Sequence, residues 1–270
     1  MFLESKGRSA VHSILQKIID RKIEEIAIGK SETPLSEIKA AVSDAPSVRD
    51  FVAALTRSPD LALIAEVKKA SPSKGLIRED FEPVTIAKAY QTGGASCISV
   101  LTDEDFFQGH LSYLTAVRNA VQLPVLRKDF IVDPWQVWQA RAAGADAVLL
   151  IAECLGADML RELHGLIREL GMTPLVELYE RANIEKVLAC DPVLVGVNNR
   201  DLNTFEVDLG HSVAVQQELP AGIAFVSESG ISSRQEMEFL QSKGVDAVLV
   251  GESLMRQQDI VKATKELLGV

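Results

Sequence analysis

Histidine and cysteine are scarce in this chain of 270 residues, which holds four of the first and three of the second. Cys97, Cys154 and Cys190 are widely spaced, odd in number and set among apolar residues. That pattern reads as reduced core thiols rather than a disulfide framework. No CxxC pair or Cys/His cluster has metal-ligand spacing, so no metal site is expected. His12, His110, His164 and His211 are scattered and are expected on the surface. Apolar runs are short as well. The longest, such as Ala145–Ala152, are broken by charge and fall far below the ~18 residues of a membrane span. The first residues carry Glu4 and no apolar h-region, so no secretory leader is expected and the expected location is cytoplasmic. Positive charge is in deficit, with 28 Lys+Arg against 38 Asp+Glu and a net charge of −10. A nucleic-acid binder needs a basic face to displace counterions from phosphates, so the acidic balance argues against that class. A small anionic ligand answers only to local charge and stays allowed. Apolar residues at 47% and charged residues at 24% exclude wholesale disorder.

What is present begins with helical periodicity. Val11, Ile14, Leu15, Ile18, Ile19, Lys22, Ile23 and Ile26 fall on one stripe at three- and four-residue steps, with polar residues between. The stripe predicts a first helix ended by Gly29. A second helix is expected over Leu35 to Val42 and a third over Val48 to Leu55, with no strand signal among them.

From Leu61 the pattern changes to eight short apolar runs: Leu61–Val67, Ser96–Leu101, Pro124–Arg127, Asp146–Ala152, Thr173–Glu177, Val193–Val197, Ala224–Ser227 and Asp246–Val250. They recur about every 26 residues, the length of one strand, one helix and two short loops. Gly94-Ala95-Ser96-Cys97, Gly144-Ala145-Asp146-Ala147 and Gly244-Val245-Asp246-Ala247 each place a glycine where a helix must end and a strand begin. The runs are continuously apolar, as parallel strands buried on both faces require. No GxGxxG follows the first of them, which weakens an open dinucleotide-binding sheet. The expected fold is α/β: a single (β/α)8 barrel over 57–270, carrying the catalysis, preceded by a helical extension over 1–56 that lies on the barrel.

Barrels of this kind work at the C-terminal ends of their strands. Glu66 and Lys68 there share one face of the first strand, being two residues apart. Arg127-Lys128-Asp129-Phe130 follows the third run, Glu177 ends the fifth, and Asn198-Asn199-Arg200 ends the sixth. The seventh runs into Ser227-Glu228-Ser229-Gly230 and the eighth into Gly251-Glu252-Ser253. One charged residue at a strand end is ordinarily a solvated loop residue; six such ends gathered at one rim are harder to dismiss. The glycine turns after strands 7 and 8 are where such barrels bind phosphate through backbone N–H groups. The ends of runs 2 and 4, at Thr102-Asp103 and Glu153, stay unassigned.

Five segments carry a family resemblance. Ile64–Ser73 (IAEVKKASPS), Leu126–Asp133 (LRKDFIVD), Gly196–Leu202 (GVNNRDL), Ser227–Ile231 (SESGI) and Val250–Met255 (VGESLM) resemble, in order, the signatures of the indole-3-glycerol-phosphate synthase family. The resemblance runs along essentially the whole chain. It implies conversion of 1-(2-carboxyphenylamino)-1-deoxyribulose 5-phosphate to indole-3-glycerol phosphate, carbon dioxide and water in tryptophan biosynthesis. No cofactor is implied. The implied partner is a sugar phosphate, without nucleic acid or membrane, and the chain is expected as a monomer or weak homodimer.

By resemblance Lys128 is the general acid of ring closure and Glu177 the general base of the closing dehydration. Lys68, with Glu66 beside it, competes for the dehydration protons. Asn198 and Arg200 match the strand-6 pair that holds substrate, Ser71 belongs to the binding set, and Phe130 and Leu202 match the apolar wall. Ser229, Gly230, Gly251 and the backbone of Glu252 match the phosphate cradle. Position 252 holds a small residue in some members, so the Glu252 carboxylate has to turn away from a phosphate. Two other readings stay open: the pathway's phosphoribosylanthranilate isomerase, which would share the cradle, and a barrel that binds phosphate without turnover.

Overall fold

The computed structural model describes residues 12–201 and 206–270. Eight parallel strands close into a barrel: β1 (Ala62–Val67), β2 (Cys97–Leu101), β3 (Val125–Lys128), β4 (Ala147–Ile151), β5 (Thr173–Leu178), β6 (Leu194–Asn198), β7 (Ala224–Glu228) and β8 (Ala247–Val250), with β8 paired to β1. Each lies within one residue of its predicted run. Continuous apolar strands need cover on both faces. Alternate residues accordingly split into two cores. Ile64, Leu126, Leu149, Leu175, Val226 and Leu249 fill the barrel, while Leu63, Val100, Val148, Val176 and Phe225 meet the surrounding helices. Gly94, Gly144 and Gly244 have φ of 99°, 91° and 79°, the left-handed turn expected of them.

Among the described residues, three α-helices precede β1: α1 (His12–Glu32), α2 (Leu35–Ala41) and α3 (Phe51–Thr56). Phe51 and Leu55 of α3 are buried in the inner core and plug the N-terminal end of the barrel. Asp50 caps α3, accepting from the Ala53 N–H at 2.9 Å, so residues 48–50, expected as helix, stay outside it. The α1 helix passes Gly29 instead of ending there, because that position is a contact rather than a cap. A Cβ on Gly29 would stand 2.6 Å from the ring of Trp135. Trp135 opens the helix after β3, α4 (Pro134–Ala142), and its indole N–H donates to the Thr33 carbonyl.

Two details of the α1 stripe differ from expectation. Ile23 is 56% exposed, whereas Lys22 is buried among carboxylates. The strict four-residue row 14, 18, 22, 26 is the one that faces the barrel, and 23 lies one position off it. Val11 lies outside the described residues. Among the histidines, His164 is buried against expectation, since the helix that carries it, α5 (Ala157–Glu169), turns it inward beside Leu160, Leu163 and Ile167. Cys97, Cys154 and Cys190 are free thiols, the first and last buried. No helix among the described residues is long and apolar enough to cross a membrane.

Candidate active site

Inward alternation brings four charged residues to the top of the barrel: Glu66 on β1, Lys128 on β3, Glu177 on β5 and Glu228 on β7. All four come from odd-numbered strands, the alternate set that supplies one layer of such a barrel. Beneath them the inward positions are apolar. The Lys128 ammonium stands 3.2 Å from Glu177 Oε2 and 3.7 Å from Glu228 Oε2. Burial alone would lower its pKa, but the charges of Glu177, Glu228 and Glu66 hold it well above the ordinary lysine range. Burial, with the neighbouring Glu177 charge, pushes Glu228 well above the usual carboxylate range. Glu66 moves the other way. Burial would raise it, yet Lys68, at 2.7 Å, and Lys128 keep it below the usual value.

Even-numbered strands make room for these carboxylates. Gly196 of β6 faces Glu228, and a Cβ there would collide with Glu228 Oε1. Gly251, just after β8, faces Glu66 in the same way, and a Cβ on it would stand 2.5 Å from Glu66 Oε2. Gly196→Ala is therefore expected to displace Glu228 from Lys128. Overpacking of this kind costs about 1–3 kcal/mol, so the barrel should stay folded. The expected kinetic effect is a loss in kcat of about tenfold or more. Circular dichroism and steady-state kinetics check both halves, and a folded variant with unchanged kcat would show that the Glu228 position is dispensable.

Asn198 Nδ2 donates to Glu177 Oε1 at 3.3 Å, while Asn198 Oδ1 accepts from the Arg200 backbone N–H at 3.0 Å. Behind it, Asn199 donates to Ser227 Oγ and to the Ser229 carbonyl, fastening the turn after β7. Ser229 and Gly230 in that turn both have positive φ, 70° and 79°. A serine held there is strained by about 1–3 kcal/mol, a cost found where surrounding structure fixes a functional loop. Gly230 tolerates no side chain, because a Cβ would collide with Val207 Cγ1. After β8, Gly251 leads into a short helix, α6 (Glu252–Met255). The Glu252 carboxylate does turn aside: Arg256 Nε and Nη2 donate to its Oε1 at 3.1 and 3.0 Å.

These groups line one cavity of about 650 Å³ at the barrel mouth. Every sequence-predicted site residue among the described ones borders it: Glu66, Lys68, Ser71, Lys128, Phe130, Glu177, Asn198, Arg200, Ser229, Gly230, Gly251 and Glu252. Leu202 lies outside the described residues. Arg127, within the same motif as Lys128, faces the opposite side of β3 and donates to Thr102, Gln136 and Asp129. Sequence reasoning passed over Glu228 as a site residue, although it stands two positions after inward Val226. It also passed over Phe107, in the unassigned loop after β2, whose ring lies 6.1 Å from that of Phe130. Ile14, Leu15 and Ile18 of α1 form part of the wall. Glu153, left unassigned, caps the next loop by accepting from the Tyr179 and Glu180 N–H groups.

A closed parallel barrel with a charged cavity at its mouth and glycine turns after β7 and β8 defines a (β/α)8-barrel enzyme. The family model described as indole-3-glycerol phosphate synthase matches residues 15–267. The chain belongs to the indole-3-glycerol phosphate synthase family. An indole-3-glycerol phosphate synthase of Rhodopirellula baltica is 56% identical over 257 residues, spanning 95% of this chain and 99% of the relative. Another, of Rhizorhabdus wittichii, is 48% identical over 94% of this chain and 97% of its own length. Among solved structures, a mutant tryptophan synthase alpha-subunit of Pyrococcus furiosus superposes with a TM-score of 0.60 at 15% identity, covering 78% of this chain and 99% of that one. At that identity the likeness is one of fold. Family membership removes the isomerase alternative.

Proposed function

We propose that this barrel catalyses the decarboxylating ring closure of 1-(2-carboxyphenylamino)-1-deoxyribulose 5-phosphate to indole-3-glycerol phosphate, with Lys128 as the acid of the first step. The observation that carries the reading is the Lys128 ammonium held among Glu177, Glu228 and Glu66 at the floor of the cavity. The ring carbon bearing the carboxylate forms a bond to the ketone carbon, and the ketone oxygen takes a proton from Lys128 as it becomes a hydroxyl. Carbon dioxide then leaves, and the electrons of the broken bond restore the aromatic ring. In the last step the hydroxyl departs as water, and Glu177 takes the proton lost as the indole forms. Lys68 first faces the substrate carboxylate. Once that group has gone, its ammonium is free to protonate the departing hydroxyl, and Glu66 holds it in place. Arg200 presents a guanidinium suited to a bidentate grip on carboxylate. Phe107 and Phe130 offer flat apolar walls for the anthranilate ring.

Incubation with the carboxyphenylamino sugar phosphate, followed by indole fluorescence, tests the reading. Product formation at a rate set by enzyme concentration is expected. Tight binding without product would overturn it in favour of a ligand-binding barrel.

The phosphate falls to Ser229, Gly230, Gly251 and the Glu252 backbone N–H. In this arrangement Arg256 neutralises the carboxylate that would otherwise confront the phosphate. Arg256→Ala is expected to raise KM about tenfold with kcat nearly unchanged, the mark of lost uniform binding. Glu252→Ala added to it should bring KM back most of the way. An Arg256→Ala enzyme with unaltered KM would remove the pair from phosphate recognition.

A further inference from the structure

The mechanism makes no use of the buried cation of α1. Lys22 lies in the middle of α1, far in sequence from every catalytic group, and its side chain is 4% exposed. Its ammonium stands 2.9 Å from Asp103, 3.1 Å from Asp129 and 2.7 Å from Glu25. Burial would lower its pKa, yet Asp129 and Asp103 hold it above the ordinary lysine range. Asp129 is pulled down to about 2 despite burial, by Lys22 and Arg127 and by hydrogen bonds from Thr102 and the Phe130 N–H.

Both aspartates lead into the site. Asp129 directly follows Lys128 and precedes Phe130. Asp103 opens the loop that carries Phe107, and its Oδ1 accepts from the Phe106 N–H at 2.9 Å. That loop is tight, since Gly109 N–H donates to the Asp103 carbonyl at 2.7 Å and a Cβ on Gly109 would strike the Leu101 carbonyl. On the helix side, Lys22 shares its four-residue row with Ile14 and Ile18, which border the cavity. One ammonium therefore joins three walls of the site: α1, the Phe107 loop and the Lys128–Phe130 segment.

Resting on the reaction proposed above, we infer that Lys22 is a positioning residue, which locks α1 onto the barrel mouth and sets Lys128 and the Phe107/Phe130 pair for ring closure. A buried charge cluster is weak support for stability, because apolar replacements of such clusters are often as stable. Its value lies in fixing one arrangement of the parts it joins. Most of a helix's stability in a protein comes from packing its apolar face, so an unlocked α1 exchanges its amide protons.

Two variants separate positioning from simple support. Lys22→Met leaves Asp103 without its cation and is expected to lose stability. Lys22→Met/Asp103→Asn removes that uncompensated charge, keeps an acceptor for the Phe106 N–H, and is expected to regain the stability. Both are compared with the wild type by thermal melting, by hydrogen exchange of peptides covering α1 and residues 103–109, and by kcat and KM for the sugar phosphate. In both variants faster exchange confined to those segments is expected, with a drop in kcat/KM of about a hundredfold, the effect of misplacing a reacting group by about 1 Å. In the double variant the kinetic loss should persist after stability has returned. The inference is overturned if kcat/KM recovers together with stability, or if either folded variant keeps wild-type kinetics. It is equally overturned by a kinetic loss without faster exchange in α1. Should Lys22→Met fail to fold, the double variant alone decides. A wild-type enzyme that forms no product would count against the proposed reaction, while the exchange data would still report whether Lys22 locks α1.

Discussion

Lys128→Ala is expected to abolish ring closure while leaving the barrel folded. A positioned general acid contributes about 10²–10⁴-fold, and a fixed ammonium facing a developing alkoxide adds electrostatic stabilisation on top of that. The variant also leaves Glu228 and Glu66 without a cation that now favours their charged forms, so these two carboxyls should become harder to ionise. Steady-state turnover and circular dichroism read the two halves, and turnover within a few-fold of wild type would remove Lys128 from the mechanism. The pH dependence has a definite sign. Because the folded-state pKa of Lys128 lies above its unfolded value, its stabilising contribution is complete below the ordinary lysine range near ~10.4. It is lost only as pH rises through the higher folded-state value. Glu228 is also raised, from the ordinary carboxylate value. Its contribution is complete in acid, below ~4.3, and declines as pH rises towards its own shifted value. Wild-type stability measured against pH should therefore show an alkaline loss above about pH 10 that is diminished in Lys128→Ala.

Glu177→Gln is expected to act on a later step. The amide is nearly isosteric and still accepts from Asn198, so substrate binding should persist, but it cannot take the proton lost as the indole forms. A fall in kcat of about 10²–10⁴-fold is expected, with KM little changed. A cyclised, decarboxylated intermediate should accumulate in a single turnover and be visible by rapid quench and mass analysis. A raised KM with kcat intact would instead make Glu177 a binding residue.

Much of the architecture follows from one-dimensional pattern. The eight continuous apolar runs, spaced for one helix between each pair, predict a closed parallel barrel, and each strand is found within a residue of its run. The reason is that parallel strands bury both faces, so their boundaries coincide with changes in polarity. Left-handed glycines before strands are legible for a similar reason, because few other residues accept that conformation. Alternation also places Glu66 and Lys68 on one face, and they are found as an ion pair at 2.7 Å.

What pattern could not supply was the partner of each inward or buried polar group. Glu228 belongs with Lys128 only because β3 and β7 lie across a closed barrel, a distance of about a hundred residues in sequence that no local period records. Gly196 lies inside an apolar run and Gly251 in a glycine turn after another, and only the closed barrel shows that their missing side chains leave space for Glu228 and Glu66. Lys22 sits in an apolar stripe whose period takes no account of its charge, and the same period makes Ile23 beside it equally fit for burial. The fold reverses the two, since burial of a charge depends on counter-charges brought by other elements, here Asp103 and Asp129. Composition and period thus determined the barrel and the rim on which its chemistry lies. The tertiary structure alone decided which charges meet there, because charge pairing is a property of distance in space and not of spacing along the chain.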